Sequence, residues 1–114
     1  MSVNKVILVG NVGKNPEIKY VGNRPYATFS LATSDPAYTN AQGVTVPERT
    51  EWHNIVVCDR PAETAERYIT KGTKLYLEGK LRTRVWEDRN AIKRSVTEIV
   101  VEGFDILSRA VSSN

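Results

Sequence analysis

The most informative segment of this chain runs Lys74-Leu75-Tyr76-Leu77-Glu78-Gly79-Lys80-Leu81-Arg82-Thr83-Arg84-Val85-Trp86. Successive side chains of a β-strand point to opposite sides of the sheet, so odd and even positions separate. We expect the odd positions to point inward, because they carry the apolar residues Leu75, Leu77, Leu81 and Val85. The even positions carry four cations, a Tyr, a Trp and a single acid. The segment therefore predicts a long strand with an apolar inner face and a basic, aromatic outer face.

Other segments of the chain also have strand composition. Residues 3–12 are continuously apolar at their centre, residues 26–33 alternate, and residues 50–58 and 93–107 are rich in β-branched residues. Gly103 interrupts the last of them and predicts a β-bulge. A short strand-like piece at 17–20 lies between two turns.

One segment has the signals of a helix, which we place at residues 60–71. Pro61 suits a first turn, Ala62, Ala65 and Ile69 share one face, and Gly72 follows the last turn. The polar residues 34–49 predict a long loop, and such loops in compact domains are often functional.

Five main strands, with one helix between the third and the fourth, are the layout of an oligonucleotide/oligosaccharide-binding (OB) barrel. Closing a sheet into a barrel removes its edges and gives a small chain a core. An unrelated antiparallel barrel or sandwich of similar length is the alternative. We predict an all-β, five-stranded OB-fold domain over residues 1–110, followed by a short C-terminal end at 111–114.

Composition narrows the function classes. The 114 residues suffice for one domain, and 40% of them are apolar. No apolar run approaches the roughly 18 residues of a membrane span, so we expect no membrane association. One cysteine, Cys58, excludes an internal disulfide framework, and with one histidine it cannot build an ordinary zinc site. We expect a reducing intracellular compartment and no metal or cofactor.

The pattern of aromatic and basic residues favours a nucleic-acid ligand. Trp52 falls on the opposite side of its strand from Ile55 and Val57, so both it and Trp86 are expected to face outward. Open indoles beside Lys and Arg suit the stacking of unpaired bases next to phosphates. Duplex DNA hides its base faces, so single strands are favoured. A merely solvated basic face, or a subunit interface covering Trp52, is the competing interpretation.

Enzymatic interpretations are weaker. Cys58 and His53 suggest a nucleophile pair, but they are five positions apart on one strand and therefore point to opposite faces. Residues 10–15 resemble a phosphate loop superficially, with the wrong glycine spacing and no Ser or Thr after Lys14. We predict a protein without catalytic residues.

Three blocks of this sequence form a recognisable set. They are Asn4-Lys5-Val6-Ile7-Leu8-Val9-Gly10-Asn11-Val12-Gly13 with Asn15-Pro16-Glu17 and Phe29-Ser30-Leu31-Ala32-Thr33; Thr50-Glu51-Trp52-His53-Asn54-Ile55-Val56-Val57; and Lys71-Gly72 with Leu75 to Arg84 and Trp86. Together they resemble the bacterial single-stranded DNA-binding protein family. The blocks occur in the family's order and spacing, from about Val3 to Leu107.

The resemblance implies a non-enzymatic homotetramer of OB folds, with a dimer left open, that binds single-stranded DNA without sequence preference. It places the protein in the bacterial cytoplasm, at the nucleoid, in replication, recombination and repair. Matching positions for base stacking are Trp52, Trp86 and Tyr38, and for phosphate contacts Lys5, Arg60, Lys71, Arg82 and Arg84. The strand pattern adds Tyr76 and Lys80 to the binding face. The expected oligomer interface comprises Lys5, Val6, Ile7, Leu8, Val9 and His53.

The sequence departs from the family pattern at several of these positions. Cys58 stands where the family often has a large aromatic ring, Tyr38 replaces a frequent Trp, and Asp59 adds a negative charge. Asn54 and Val85 replace residues that are often basic. Residues 112–114 show no acidic, hydrophobic tail tip, so no tail-mediated protein partner is expected. An OB-fold protein-interaction module of a replication assembly is the alternative function.

Overall fold

A computed structural model describes residues 1–110, with eight strands and one helix among them. The predicted C-terminal end, 111–114, lies outside the described residues. The elements are β1 (Val6–Val12), β2 (Glu17–Val21), β3 (Arg24–Asp35), β4 (Tyr38–Thr39), β5 (Thr45–Val46), β6 (Arg49–Cys58), α1 (Arg60–Tyr68), β7 (Lys74–Glu87) and β8 (Lys93–Ser108).

Five strands form a ring in the order β1-β7-β8-β6-β3, and β1 closes it by pairing with β3 at Asn11–Ala32 and Val12–Leu31. These are the five strands that the sequence predicts, and the OB-type barrel is confirmed. β2 lies outside the ring, because a tight turn through Gly22 (φ 63°) folds it back onto β3. β6 and β8 are the parallel neighbours, paired only at Ile55–Ile99 and Val56–Val100.

The core fills the inside of this ring. Its largest fully buried apolar side chains come from β3, β6, β7 and the end of the helix: Leu31, Ile55, Val57, Ile69, Leu75 and Leu77. Burial of such side chains stabilises the fold by about 1.5–3 kcal/mol each. The predicted inward positions of β6 and of the first half of β7 are therefore confirmed.

The helix closes one end of the barrel with the predicted face. Ala62, Ala65 and Ile69 are buried, but the predicted end at residue 71 is wrong. The helix ends at Tyr68, because Ile69 adopts an extended conformation (φ −98°, ψ 129°). Gly72 lies in the following turn at φ 93°, and its N–H donates to the Val12 carbonyl. Within the described residues, no helix is long and apolar enough to cross a membrane.

The second half of β7 leaves the barrel, which corrects one prediction. Beyond Gly79, β7 pairs with β8 but not with β1, and the two form a projecting arm. Leu81 and Val85, expected to point inward, are 50% and 66% exposed. The odd positions alternate as predicted, but the arm has no core beneath it. The arm separates from β1 close to Asn4, whose side-chain amide forms hydrogen bonds with both the N–H and the carbonyl of Leu81.

The backbones of β7 and β8 approach each other closely where β7 leaves the barrel. A Cβ on Gly79 would lie 2.3 Å from the Val100 carbonyl oxygen, so a larger residue would displace β8. The ladder also shifts there, from Glu78–Gly103 to Gly79–Val101, which leaves Glu102 as an extra residue. The bulge predicted at Gly103 is thereby confirmed.

The predicted loop at 34–49 is shorter than expected. β3 and β6 extend their ladder to Asp35–Arg49, and Tyr38–Thr39 pairs with Thr45–Val46 as a small ribbon. Asn40 supports its turn by accepting the N–H groups of Gln42 and Val44.

Candidate nucleic-acid interface

A groove of about 670 Å³ runs over the outer surface of the sheet. Its floor comes from the even positions of β3 and β6, where Tyr26 is opposite Cys58, Thr28 opposite Val56, and Ser30 opposite Asn54. Because the odd positions of both strands fill the core, these even positions must face outward. The groove is therefore a direct result of strand alternation, and it has a mixed polar and apolar floor.

Cations stand on both sides of this groove. Arg82 and Arg84 reach it from β7 in the arm, while Lys14 and Lys19 reach it from β2 and the turn before it. The acid among the lining residues is Glu98 on β8. Four cations against one carboxylate make the groove a suitable surface for a phosphate backbone.

The two tryptophans are open to solvent, as the sequence predicts. Trp52 is 59% exposed and Trp86 is 46% exposed. A Cβ on Gly13 would lie 2.3 Å from the Trp52 ring, so the absence of a side chain there lets the indole lie close to the backbone. Trp86 is on the same side of β7 as Arg82 and Arg84. Both rings offer apolar surface that no described residue covers completely, which suits base stacking.

Arg84 is held in place by a carboxylate of the groove. Its Nε and Nη2 donate to the two carboxylate oxygens of Glu98 at 3.1 and 3.3 Å. This hydrogen bonding, together with the charge of Glu98, raises the pKa of Arg84. The Glu98 side chain is only 12% exposed. The pair fixes the plane of the guanidinium and opposes its charge.

Glu98 therefore opposes the binding of a polyanion, and E98Q is expected to tighten it. We expect about fivefold higher affinity for an unstructured oligonucleotide at low salt, because two unit charges a few ångströms apart in water repel by about 1 kcal/mol. The slope of log affinity against log salt should steepen by about 0.7, since Arg84 gains a phosphate to neutralise. Titrations at several salt concentrations measure both quantities.

Glu63 provides the matched control, because it lies in the first turn of α1, away from the groove. E63Q changes net charge by the same amount and is expected to leave the salt slope unchanged. Equal effects of E98Q and E63Q would show that net charge, not the groove carboxylate, governs binding.

A second ion pair lies near one end of the groove. Arg24 donates to both carboxylate oxygens of Asp59 at 3.0 Å, next to Cys58 in the chain. The hydrogen bonds raise the pKa of Arg24 and lower the pKa of Asp59. Asp59 occupies a left-handed backbone conformation (φ 65°, ψ −144°) that favours glycine. The negative charge that Asp59 adds to this part of the chain is therefore opposed by the positive charge of Arg24.

Several other predicted residues lie outside the groove. Tyr76 is in the half of β7 that pairs with β1, and its hydroxyl donates to Glu78 at 2.6 Å. Lys5 contacts the same Glu78 at 3.3 Å and Glu102 at 4.0 Å. The hydrogen bond from Tyr76, followed by that from Lys5, lowers the pKa of Glu78, and the bond to Glu78 raises the pKa of Tyr76. The structure groups Tyr76 and Lys5 with β1 instead of the groove.

The remaining predicted contacts are dispersed. Lys80 lies at the base of the arm opposite Val100, a residue of the groove. Arg60 begins α1 and lines a separate cavity with Phe104. Lys71 follows the helix, where its N–H donates to Asn15, and Tyr38 is 60% exposed on the β4–β5 ribbon.

The expected oligomer interface is an exposed apolar strip. Val6 and Leu8 turn toward the core, whereas Ile7 and Val9 are 58% and 46% exposed. Within residues 1–110, the edge of β1 away from β7 is unpaired before Asn11. His53 is half-buried at the other side of the barrel ring, where its Nε2 and the Thr33 hydroxyl share a hydrogen bond of 2.8 Å.

Among the charged and aromatic residues that line the groove, sequence reasoning missed Lys14, Lys19, Tyr26 and Glu98. A signal existed for Tyr26, because it alternates with Ala27 and Phe29 in the sequence, and a buried face for those two apolar residues places Tyr26 outside. Lys14 and Lys19 lie on a turn and a short strand whose position depends on tertiary pairing. Among residues 1–110, no three His, Cys, Asp or Glu side chains are placed to hold a metal ion.

Comparisons with known proteins show the family to which this sequence and fold are related. The model of the "Single-strand binding protein family" matches residues 3–107. A "Single-stranded DNA-binding protein" of Bacteroides thetaiotaomicron is 55% identical over 109 residues, which are 95% of this chain and 68% of the relative's length. A solved structure described as a Plasmodium falciparum SSB complex with ssDNA superposes with a TM-score of 0.79 at 34% identity, covering 95% of this chain and 96% of that one.

Proposed function

Because the chain belongs to the single-strand binding protein family, we propose that it binds single-stranded DNA without sequence preference through the groove described above. The carrying observation is a groove with cations on both sides and two open indoles on strands of the same barrel. Family membership assigns a binding function and no catalytic one. Binding protects DNA strands exposed in replication, recombination and repair, and we place this activity in the bacterial cytoplasm at the nucleoid.

In the proposed mechanism, aromatic rings bind the bases and cationic side chains bind the phosphates. Bases stack on Trp52 and Trp86, which contributes about 1–3 kcal/mol per base and tolerates any sequence, because every base has a π-face. Arg82, Arg84 and the lysines across the groove contact phosphates and release their counterions. Lys80 and Tyr38 extend this surface along the arm and the ribbon, while Arg60, Lys71 and Lys5 meet DNA that continues around the barrel.

Titration of tryptophan fluorescence tests this function directly. An unstructured oligothymidylate is expected to quench the emission, with log affinity falling by about 0.7 per neutralised phosphate as log salt rises. A duplex of the same length should bind far more weakly. Unchanged emission at low salt in a large excess of the single strand would overturn the proposal.

We further propose that copies of this chain associate through β1, as a tetramer or a dimer. The exposed Ile7 and Val9 lie beside Tyr76 on an outer face, next to a strand edge that no strand among residues 1–110 pairs before Asn11. A second copy of β1 would pair that edge and cover these side chains. Lys5 directly precedes β1, at the margin of this surface. We propose that contacts around His53, which lies on β6, belong to the same assembly. Linked binding sites on one DNA strand then raise avidity without new kinds of contact.

Val9→Lys is expected to dissociate this assembly, because it places a charge in the apolar strip. The mass of the native particle should fall toward that of a single chain, and affinity for long oligonucleotides should fall more than affinity for short ones. Val21→Lys is the control, since Val21 is a 64% exposed valine on β2. Equal masses for the wild type and Val9→Lys would contradict the β1 interface.

A further inference from the structure

We propose that Tyr26 is a base-stacking residue of the groove and that the small side chain of Cys58 leaves its ring accessible to a nucleobase. This inference rests on the proposed function, and it assigns a role to a residue that the strand pattern of β7 and the sequence blocks did not identify. It also explains how the groove can bind bases at the end where β6 carries no aromatic ring.

The position of Tyr26 is fixed by pairing on both sides. On β3, Tyr26 pairs with Lys19 of β2 and with Cys58 of β6. All three residues line the groove, so their side chains share its floor in one row. The row places a cation, an aromatic ring and a small thiol side by side across three strands.

The burial of Tyr26 fits a binding role better than a core role. Its neighbours in the chain, Pro25 and Ala27, are buried, whereas Tyr26 is partly exposed on the opposite face. Cross-strand neighbours lie about 4.5–5.5 Å apart at Cβ, which is close enough for a large side chain at position 58 to cover the ring. Cys58 is too small to do so. A flat apolar surface therefore remains open beside the thiol.

The surrounding charges match a nucleotide stacked at this place. Lys19 flanks the ring on β2, and Arg84 approaches from the arm across the groove. The Tyr26 phenol is close enough to Arg84 to add a small part to the rise in the pKa of Arg84, after the larger effects of Glu98. A base on Tyr26 thus has cations within reach of the phosphates on either side of it.

Tyr26→Leu tests the proposal with two ligands of equal charge. For oligothymidylate, loss of one stacking ring is expected to weaken binding about 5- to 150-fold. For a strand of the same length made of abasic residues, wild type and Tyr26→Leu should bind alike. Tyr26→Phe should retain the affinity of the wild type, because the ring and not the hydroxyl carries the contact.

A ring supplied from the neighbouring strand should rescue the variant. Adding Cys58→Phe to Tyr26→Leu returns an aromatic surface to the same row of the groove, and we expect most of the affinity for oligothymidylate to return. Tyr20→Leu is the matched control, since Tyr20 is 60% exposed on the opposite face of β2 and pairs with Pro25. It should bind like the wild type.

The outcomes separate this inference from the proposed function. If the wild type binds oligothymidylate and Tyr26→Leu binds it equally well, the role of Tyr26 is overturned and the function stands. Equal losses on the abasic and the normal strand would also overturn stacking at Tyr26. If the wild type itself binds neither strand, the proposed function fails first. Unfolding midpoints of the variants verify that each is folded.

Discussion

Replacing Trp52 or Trp86 with alanine is expected to cause a large loss of DNA binding. Each variant should lower affinity for an unstructured oligonucleotide about 5- to 150-fold, the equivalent of about 1–3 kcal/mol for one stacked base. Because β8 separates the two strands that carry them, the effects should add in the double variant. Fluorescence anisotropy of a labelled oligonucleotide measures binding after the indoles are gone.

The sequence dependence of the loss distinguishes stacking from base readout. Both variants should weaken binding to thymidine-rich and mixed unstructured strands alike, while the salt slope stays constant because no phosphate contact is removed. Tyr68→Ala is a control, since Tyr68 is an exposed aromatic residue at the end of α1. A loss confined to one base composition, or a changed salt slope, would contradict the stacking mechanism.

Leu77→Ala should produce the largest loss of stability. Leu77 is fully buried in the barrel, and removing its side chain leaves a cavity that costs about 2–5 kcal/mol. Denaturant unfolding at a fixed protein concentration measures this cost, because self-association contributes to apparent stability. The midpoint should fall clearly, with an unchanged slope.

Leu81→Ala is the matched comparison on the same strand and the same side. Leu81 is 50% exposed on the arm, so its truncation should change stability by no more than about 0.5 kcal/mol. The two variants together locate the point where β7 leaves the barrel. Comparable destabilisation by both would show that the apolar side of β7 remains covered beyond Gly79.

Local patterns predicted the strands and the barrel well, because alternation follows from backbone geometry alone. The core side of β6 and of the first half of β7, the buried face of α1 and the bulge near Gly103 all follow from spacing and residue type. The inward placement of Leu81 and Val85 was wrong for a tertiary reason. Alternation gives the side of a strand, but the presence of a core on that side depends on where β1 ends its pairing.

The geometry of the candidate site was predictable to a similar extent. Trp52, Trp86, Arg82 and Arg84 lie where strand alternation places them, open or along the groove. The partners of those residues were not predictable from local patterns. The bidentate bond from Arg84 to Glu98 depends on the antiparallel pairing of β7 with β8, and the position of Lys19 depends on the fold of β2 onto β3. These contacts are set by the pairing register of strands that are distant in the sequence, and residue composition does not reveal that register.

The short parallel join between β6 and β8 affects how firmly the floor of the groove is held. Two residue pairs connect these strands, whereas β3–β6 has ten pairs and β7–β8 has fourteen. Ile55, Val56 and Val100 of this join line the groove, so the groove floor crosses a part of the ring that has few ladder pairs. We expect local opening to be easier there than within the two long ladders, and amide hydrogen exchange would measure the difference.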